Sequence, residues 1–129
     1  AARTQWVFVL DLDGNTATGR PPGHGGVRIN PDLGDEIAIV VEYTTGGLYT
    51  ANCYVWNTGQ GGFANGPEMR YTIDESRTRI AFAVSYEALG QAASQNSGVT
   101  IAPDAVKGRA AALGYVGQQR VIDFYPDLP

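Results

Sequence analysis

Cys53 is the only cysteine in 129 residues, so no disulfide can form within the chain. Stability has to come from packing, from a metal or from other chains. Lysine is equally scarce: Lys107 is the sole one, and the eight arginines are scattered. Nucleic-acid binding displaces phosphate counterions with clustered cations, and a chain of net charge −4 without such clusters is not built for it. No apolar run approaches the roughly 18 residues of a membrane span. The longest, at residues 37–41, is strand-sized.

What the chain does contain is turn-formers and apolar residues. Its 17 glycines and 7 prolines break it often, which favours many short strands over a few long helices. At 43% hydrophobic and 17% charged it is too apolar for a disordered tail, and its length suits one domain with a buried core. Neither an internal repeat nor a low-complexity linker divides it. It opens at Ala1-Ala2, small residues of the kind that signal-peptidase cleavage leaves, which suggests a place outside the cell.

Residues 4–11 (TQWVFVLD) are β-branched and aromatic and read as a strand, with Trp6, Phe8 and Leu10 on one face and Val7 and Val9 on the other. A strand apolar on both faces needs cover on both. After a polar loop rich in Gly and Pro, residues 35–43 (DEIAIVVEY) form a second strand, with Ile37, Ile39, Val41 and Tyr43 sharing a face. A Thr44-Thr45-Gly46-Gly47 turn leads into residues 48–56 (LYTANCYVW), completing an antiparallel hairpin. Residues 57–67 are expected as a flexible loop and 69–74 as a strand with Met69, Tyr71 and Ile73 inward. Glu75-Ser76-Arg77 turns the chain into a strand over 78–86 with Ile80, Phe82, Val84 and Tyr86 inward. Residues 86–90 predict one helical turn ended by Gly90, residues 103–113 a short helix interrupted by Gly108, and 120–125 a closing strand before Pro126-Asp127. The pattern is all-β: one domain, an antiparallel two-sheet β-sandwich of jelly-roll-like type, with one or two short helical turns.

The most informative stretch follows the first strand directly: Asp11-Leu12-Asp13-Gly14-Asn15-Thr16-Ala17-Thr18-Gly19. Two carboxylates and an amide at alternate positions, then hydroxyls, put hard oxygen atoms around one tight turn, which suits calcium and its six to eight oxygen ligands. It is not an EF-hand, since Gly14 stands fourth rather than sixth and Pro22 occupies the twelfth position. The competing reading is an Asx-turn, in which Asp and Asn side chains accept nearby backbone N–H groups. A metal needs further ligands, and Asp35 or Glu36 can supply one if the first two strands are neighbours.

The order WVFVLDLDGNTATG, a loop, GDEIAIVVEY, a strand with Tyr and Trp, IAFAVSYEALG and finally VIDFYPDLP resembles the DOMON-like extracellular sandwiches of bacteria. These include family-nine carbohydrate-binding modules and glucodextranase C-terminal domains. The likeness rests on the Asp-x-Asp-x-Asn loop with a following Thr-Gly, the late strand ending in Leu-Gly, and the Asp-x-x-Pro-Asp close. It implies calcium, with Asp11, Asp13, Asn15, Thr18 and Asp35 as ligands. Two departures stand out. The tyrosine of that family's second strand start is missing, because Glu36-Ile37 follow Asp35. Only five residues precede Trp6, where relatives carry one or more strands. The first strand is therefore expected at an open edge, with Trp6, Val7, Phe8 and Val9 covered by another chain through strand addition or face packing.

Other chemistry is thinner. His24 sits in a Gly- and Pro-rich loop and reads as solvated, which leaves no Ser-His-Asp arrangement. Cys53 alternates with Ala51 and Val55 and reads as a core thiol rather than a nucleophile. Glu42, Glu68, Glu75 and Glu87 border strands and turns and read as solvated surface rather than as a glycosidase pair. Of the aromatics Tyr43, Tyr54, Trp56 and Phe63, Tyr54 and Trp56 share a strand face with Thr50 and Asn52, and Phe63 lies in the loop that follows. Asn52, Tyr54, Trp56 and Phe63 suit the stacking of sugar rings, and the packing of Trp56 at the sandwich end is the equal alternative. Two functions follow: a non-catalytic calcium-stabilised module binding a glycan or cell-surface polymer, or a structural subunit that assembles with copies of itself into an extracellular fibre, tube or matrix.

Overall fold

The computed structural model describes residues 3–24, 29–44, 46–74, 76, 79–116 and 118–126. The expected turn and loop residues Gly25, Gly26, Thr45, Glu75, Arg77, Thr78 and Asp127 lie outside them. Eight strands and one α-helix follow in order among the described residues: β1 (Arg3–Asp11), β2 (Ile37–Thr44), β3 (Leu48–Asn57), β4 (Gly62–Asn65), β5 (Arg70–Ile73), β6 (Ile80–Ala83), α1 (Tyr86–Ser97), β7 (Lys107–Val116) and β8 (Gln119–Tyr125). A six-stranded antiparallel sheet runs β4-β3-β2-β1-β7-β8, and β5 and β6 form a two-stranded sheet. The fold is the expected all-β sandwich, with unequal sheets.

Strand alternation divides the core in two. Phe8, Leu10, Ile37, Ile39, Cys53 and Val55 pack on one sheet face, beneath Phe82 and Val84 at the end of the hairpin and Ala93 of α1. The Phe8 and Phe82 rings meet at 4.9 Å, joining the two sheets. Val7, Val9, Ala38 and Ala111 line the opposite face, covered by Ile29 and Leu33 from the segment between β1 and β2. β1 therefore has cover on both faces, as its sequence demands.

Several expectations are corrected. β1 is no edge strand: it pairs with β2 through Arg3↔Thr44 to Leu10↔Ile37 and with β7 through Gln5↔Leu113 to Asp11↔Lys107. Both of its hydrogen-bonding edges are used, so strand addition along Trp6, Val7, Phe8 and Val9 is closed, and Val9 is 1% exposed. Residues 107–113, expected as helix, form most of β7, because burial between β1 and β8 outweighs the helix propensity of three alanines. Only Pro103–Ala105 makes a 3-10 turn. The single helical turn expected at 86–90 is a twelve-residue helix that runs through Gly90. Ser85 caps its start by accepting Ala88 N–H, and Gly98, at φ 65°, ends it. That cap also ends the inward alternation at Val84, leaving Tyr86 exposed. Tyr71 is exposed too, its hydroxyl donating to the Tyr49 carbonyl. The loop expected at 57–67 holds β4, closed by Asn57, which accepts Gln60 N–H through its side chain and Gly61 N–H through its carbonyl. No helix among the described residues is long and apolar enough to cross a membrane.

Ile37 is fully buried where the sheet meets the helix. Ile37→Ala is expected to lower the unfolding free energy by about 2–5 kcal/mol in urea denaturation. Tyr125→Ser, on an 80% exposed side chain, should stay within about 0.5 kcal/mol of the parent.

Candidate cation site at the end of the first strand

The oxygen-rich bend is built as a chain of Asx-turns. Asp11, buried at the end of β1, accepts Gly14 N–H at 2.8 Å through Oδ1 and Gly34 N–H at 3.1 Å through Oδ2. Asp13 Oδ1 accepts Asn15 N–H at 3.0 Å, and Asn15 Oδ1 accepts Ala17 N–H at 2.9 Å. The Thr18 hydroxyl donates to the Asp13 carboxylate, 2.8 Å from Oδ2. Gly14 takes φ 68°, a left-handed conformation that suits glycine. Two glycines let this bend close on residues 34–36. A Cβ on Gly19 would stand 2.6 Å from Glu36 Oε1, and one on Gly34 would strike the Thr18 and Asn15 carbonyl oxygens.

The third carboxylate in the bend comes from Glu36. One oxygen each from Asp11, Asp13 and Glu36 fall within 4.8 Å of one another. Glu36 is fully buried; its Oε2 accepts Leu12 N–H at 2.7 Å and its Oε1 has no hydrogen-bond partner. Burial, reinforced by the negative charges of Asp13, Asp11 and Asp35 and only partly offset by the Leu12 N–H, pushes its pKa up to about 8. Asp11 is raised as well, first by burial.

The expected ligand Asp35 is engaged elsewhere. Its carboxylate pairs with Arg20 Nη2 at 3.0 Å and accepts Asn30 Nδ2–H at 2.8 Å. Adjacent side chains in extended backbone diverge, so Asp35 and Glu36 meet different neighbours. Burial still raises the Asp35 pKa, against the pull of Arg20. Asn15 and Thr18 lie in the bend as expected, and the bonds just described use them to shape it. Spacing allows Asp35 or Glu36 and the resemblance points to Asp35, whereas side-chain direction brings Glu36 into the bend.

These residues fit a hard divalent cation. Opposed oxygens on one calcium ion stand about 5 Å apart, so three carboxylates within 4.8 Å can share one ion. Asp11, Asp13 and Glu36 would hold it, and the ion would supply charge balance rather than redox chemistry.

The aromatic set does not form a platform. Trp56 is 4% exposed and packs edge-on against Phe63 at 5.3 Å and against His24 at 5.0 Å. It is a core residue, sealed because its cross-strand partner is Phe63 and its backbone joins β3 to Glu36. Phe63 carries the Arg20 guanidinium 5.2 Å over its ring. Tyr54 and Phe63 line a shallow apolar groove of about 350 Å³. Asn52 is exposed and lines a different cleft. His24 is exposed with one ring edge on Trp56, and Cys53 is a core thiol whose pKa burial pushes up to about 11. Glu42 accepts a hydrogen bond from Gln5, while Glu68 and Glu87 are exposed; Glu75 lies outside the described residues.

Comparison with protein-family models, curated proteins and solved structures gives no match.

Because the folded pKa of Glu36, about 8, exceeds its ordinary 4.5, the ion-free folded chain keeps a proton that the unfolded chain has released between those values. Stability in a chelator is therefore expected to fall as pH rises through that window. Glu36→Gln should flatten the fall, as read from guanidinium melts at about pH 5 and about pH 8.

Proposed function

We propose that this chain is a non-catalytic, extracellular binding module of the DOMON-like type, in which a calcium ion held by Asp11, Asp13 and Glu36 clamps the sandwich and a glycan or cell-surface polymer is the ligand. The observation that carries the cation is Glu36: fully buried, one oxygen unpartnered, and within 4.8 Å of two more carboxylates. A buried carboxylate in that position either keeps a proton or takes a cation, and one calcium ion coordinated by all three carboxylates offsets two of their three charges. The glycan class is supported by the order of motifs along the chain, and a calcium-clamped sandwich gives such a module a rigid frame.

Metal analysis of the purified chain and calorimetric titration after EGTA treatment test the clamp. Calcium at a hundred times its dissociation constant is expected to add about 2.7 kcal/mol of stability. Glu36→Gln should weaken calcium binding at least tenfold. Asp35→Asn, which breaks the Arg20 pair instead, should lower stability yet keep the calcium-dependent rise. Equal loss of calcium binding in both variants would remove the assignment.

A second reading, assembly with copies of itself, is favoured by β8. This strand is at one edge of the large sheet, with Val121 43%, Ile122 38% and Tyr125 80% exposed. Size-exclusion chromatography with light scattering decides it: the reading needs oligomers that grow with concentration, and a monomer at every concentration would end it.

A further inference from the structure

We infer that β8 pairs antiparallel with β8 of a second copy of this chain, about a two-fold axis at Ile122, so that two six-stranded sheets become one; this rests on the reading of assembly with copies and fixes its edge, register and size. A strand apolar on both faces needs cover on both. β1 finds it within the chain. β8 does not: Val121 and Tyr125 point to one face, Ile122 and Phe124 to the other, and Val121, Ile122 and Tyr125 are exposed. β8 is also the long open edge of the large sheet, since β4 at the opposite edge has four residues against its seven.

The register shows which backbone groups of β8 are free. Trp56 N–H donates to Glu36 O, so Ala38, Val40 and Glu42 turn their backbone groups toward β3, and Ile37, Ile39 and Val41 turn theirs toward β1. Carried across the pairings, Val7 and Val9 face β7. Ala110, Ala112 and Gly114 then face β8, where they meet Tyr125, Asp123 and Val121. The N–H and C=O groups of Arg120, Ile122 and Phe124 are left on the outer edge. A separate bond agrees, because Phe124 N–H donates to Asp123 Oδ1 at 3.0 Å. Pairing exchanges that bond for the Arg120 carbonyl of the second copy.

A second copy is the occupant because β8 matches itself. Ile122 is the central residue of the strand and faces outward, so antiparallel pairing about it uses the whole length, from Gln119 opposite Tyr125 of the second copy onward. Shifting the axis to Asp123 opposes two carboxylates, and shifting it to Val121 runs Phe124 past the end of the partner strand. About Ile122, Asp123 falls opposite Val121 instead, and the two Ile122 side chains cover each other. A contact between identical patches closes at two copies.

Light scattering of the whole chain from micromolar to millimolar concentration is expected to show a monomer giving way to a dimer and to nothing larger. Ile122→Pro removes an N–H that only the second copy would use, on the side of an edge strand where proline is tolerated. It should weaken the dimer at least tenfold, with the melting temperature of the dilute chain close to the parent's. Cross-linking reads the register without that variant. Under mild oxidation Ile122→Cys should form a disulfide-linked dimer, since paired Cα atoms there stand about 5.5 Å apart. Tyr125→Cys, far from its own copy, should not, and the parent, whose Cys53 is buried, is the control. Larger species, dimers that survive Ile122→Pro, or cross-linking through Tyr125→Cys and not Ile122→Cys overturn the β8 seam and leave assembly standing. A monomer at every concentration overturns the seam and the assembly reading together.

Discussion

The burial of one carboxylate, Glu36, organises this end of the molecule. Its backbone serves two strands at once: the N–H donates to Leu10 O of β1, and the C=O accepts Trp56 N–H from β3. Its side chain reaches back to Leu12 N–H and so holds the bend that follows β1. Gly19 and Gly34 are the matching half of the arrangement, since any Cβ there would intrude on the carboxylate or on the bend. Register of the central strands, closure of the bend and the gathering of three acidic groups are thus one event, and separating them would leave a charge buried without a partner.

Charge also fastens the second cover of the sheet. The segment between β1 and β2 lies over Val9, Ala38 and Ala111, and ionic contacts fix it there. Arg20 and Asn30 converge on Asp35, and Arg109 of β7 reaches Asp32 and the Ile29 carbonyl. Pairing with Arg109 holds the Asp32 carboxyl below its ordinary range. The Arg20–Asp35 pair is buried; such a pair adds little net stability, but losing one partner is expensive because the other charge stays behind. A loop that could have been peripheral is in this way made part of the core.

How much of this is legible in the residues follows from what each element depends on. β1, β2, β3 and β8 were readable because β-branched and aromatic side chains alternate there and local preference agrees with the final environment. β7 was not, since alanines carry no strand signal and its conformation is decided by neighbours far along the chain. α1 reads as one turn because Gly90 resembles a stop, yet Gly90 lies within the helix, where an added Cβ would make an ordinary contact 3.8 Å from a methyl of Ile101. The acidic bend was visible by spacing, down to Asp11 and Asp13. Which of two adjacent acids joins it, and whether Trp56 faces solvent, depend on side-chain direction and cross-strand partners that spacing does not encode.

The place of β1 has a kinetic meaning. Its two neighbours differ greatly in sequence distance: Leu10 sits beside Ile37 on one side and beside Gly108 on the other. The first contact closes a short loop, and the second has to bring together segments almost a chain length apart. Sheet formation should accordingly advance from β1 through β4 and then wait for the seam with β7, which places this protein among slow-folding, high-contact-order topologies. While that seam is open, β1 presents a bare hydrogen-bonding edge, so the interval before closure is when the chain is most exposed to mispairing with its neighbours.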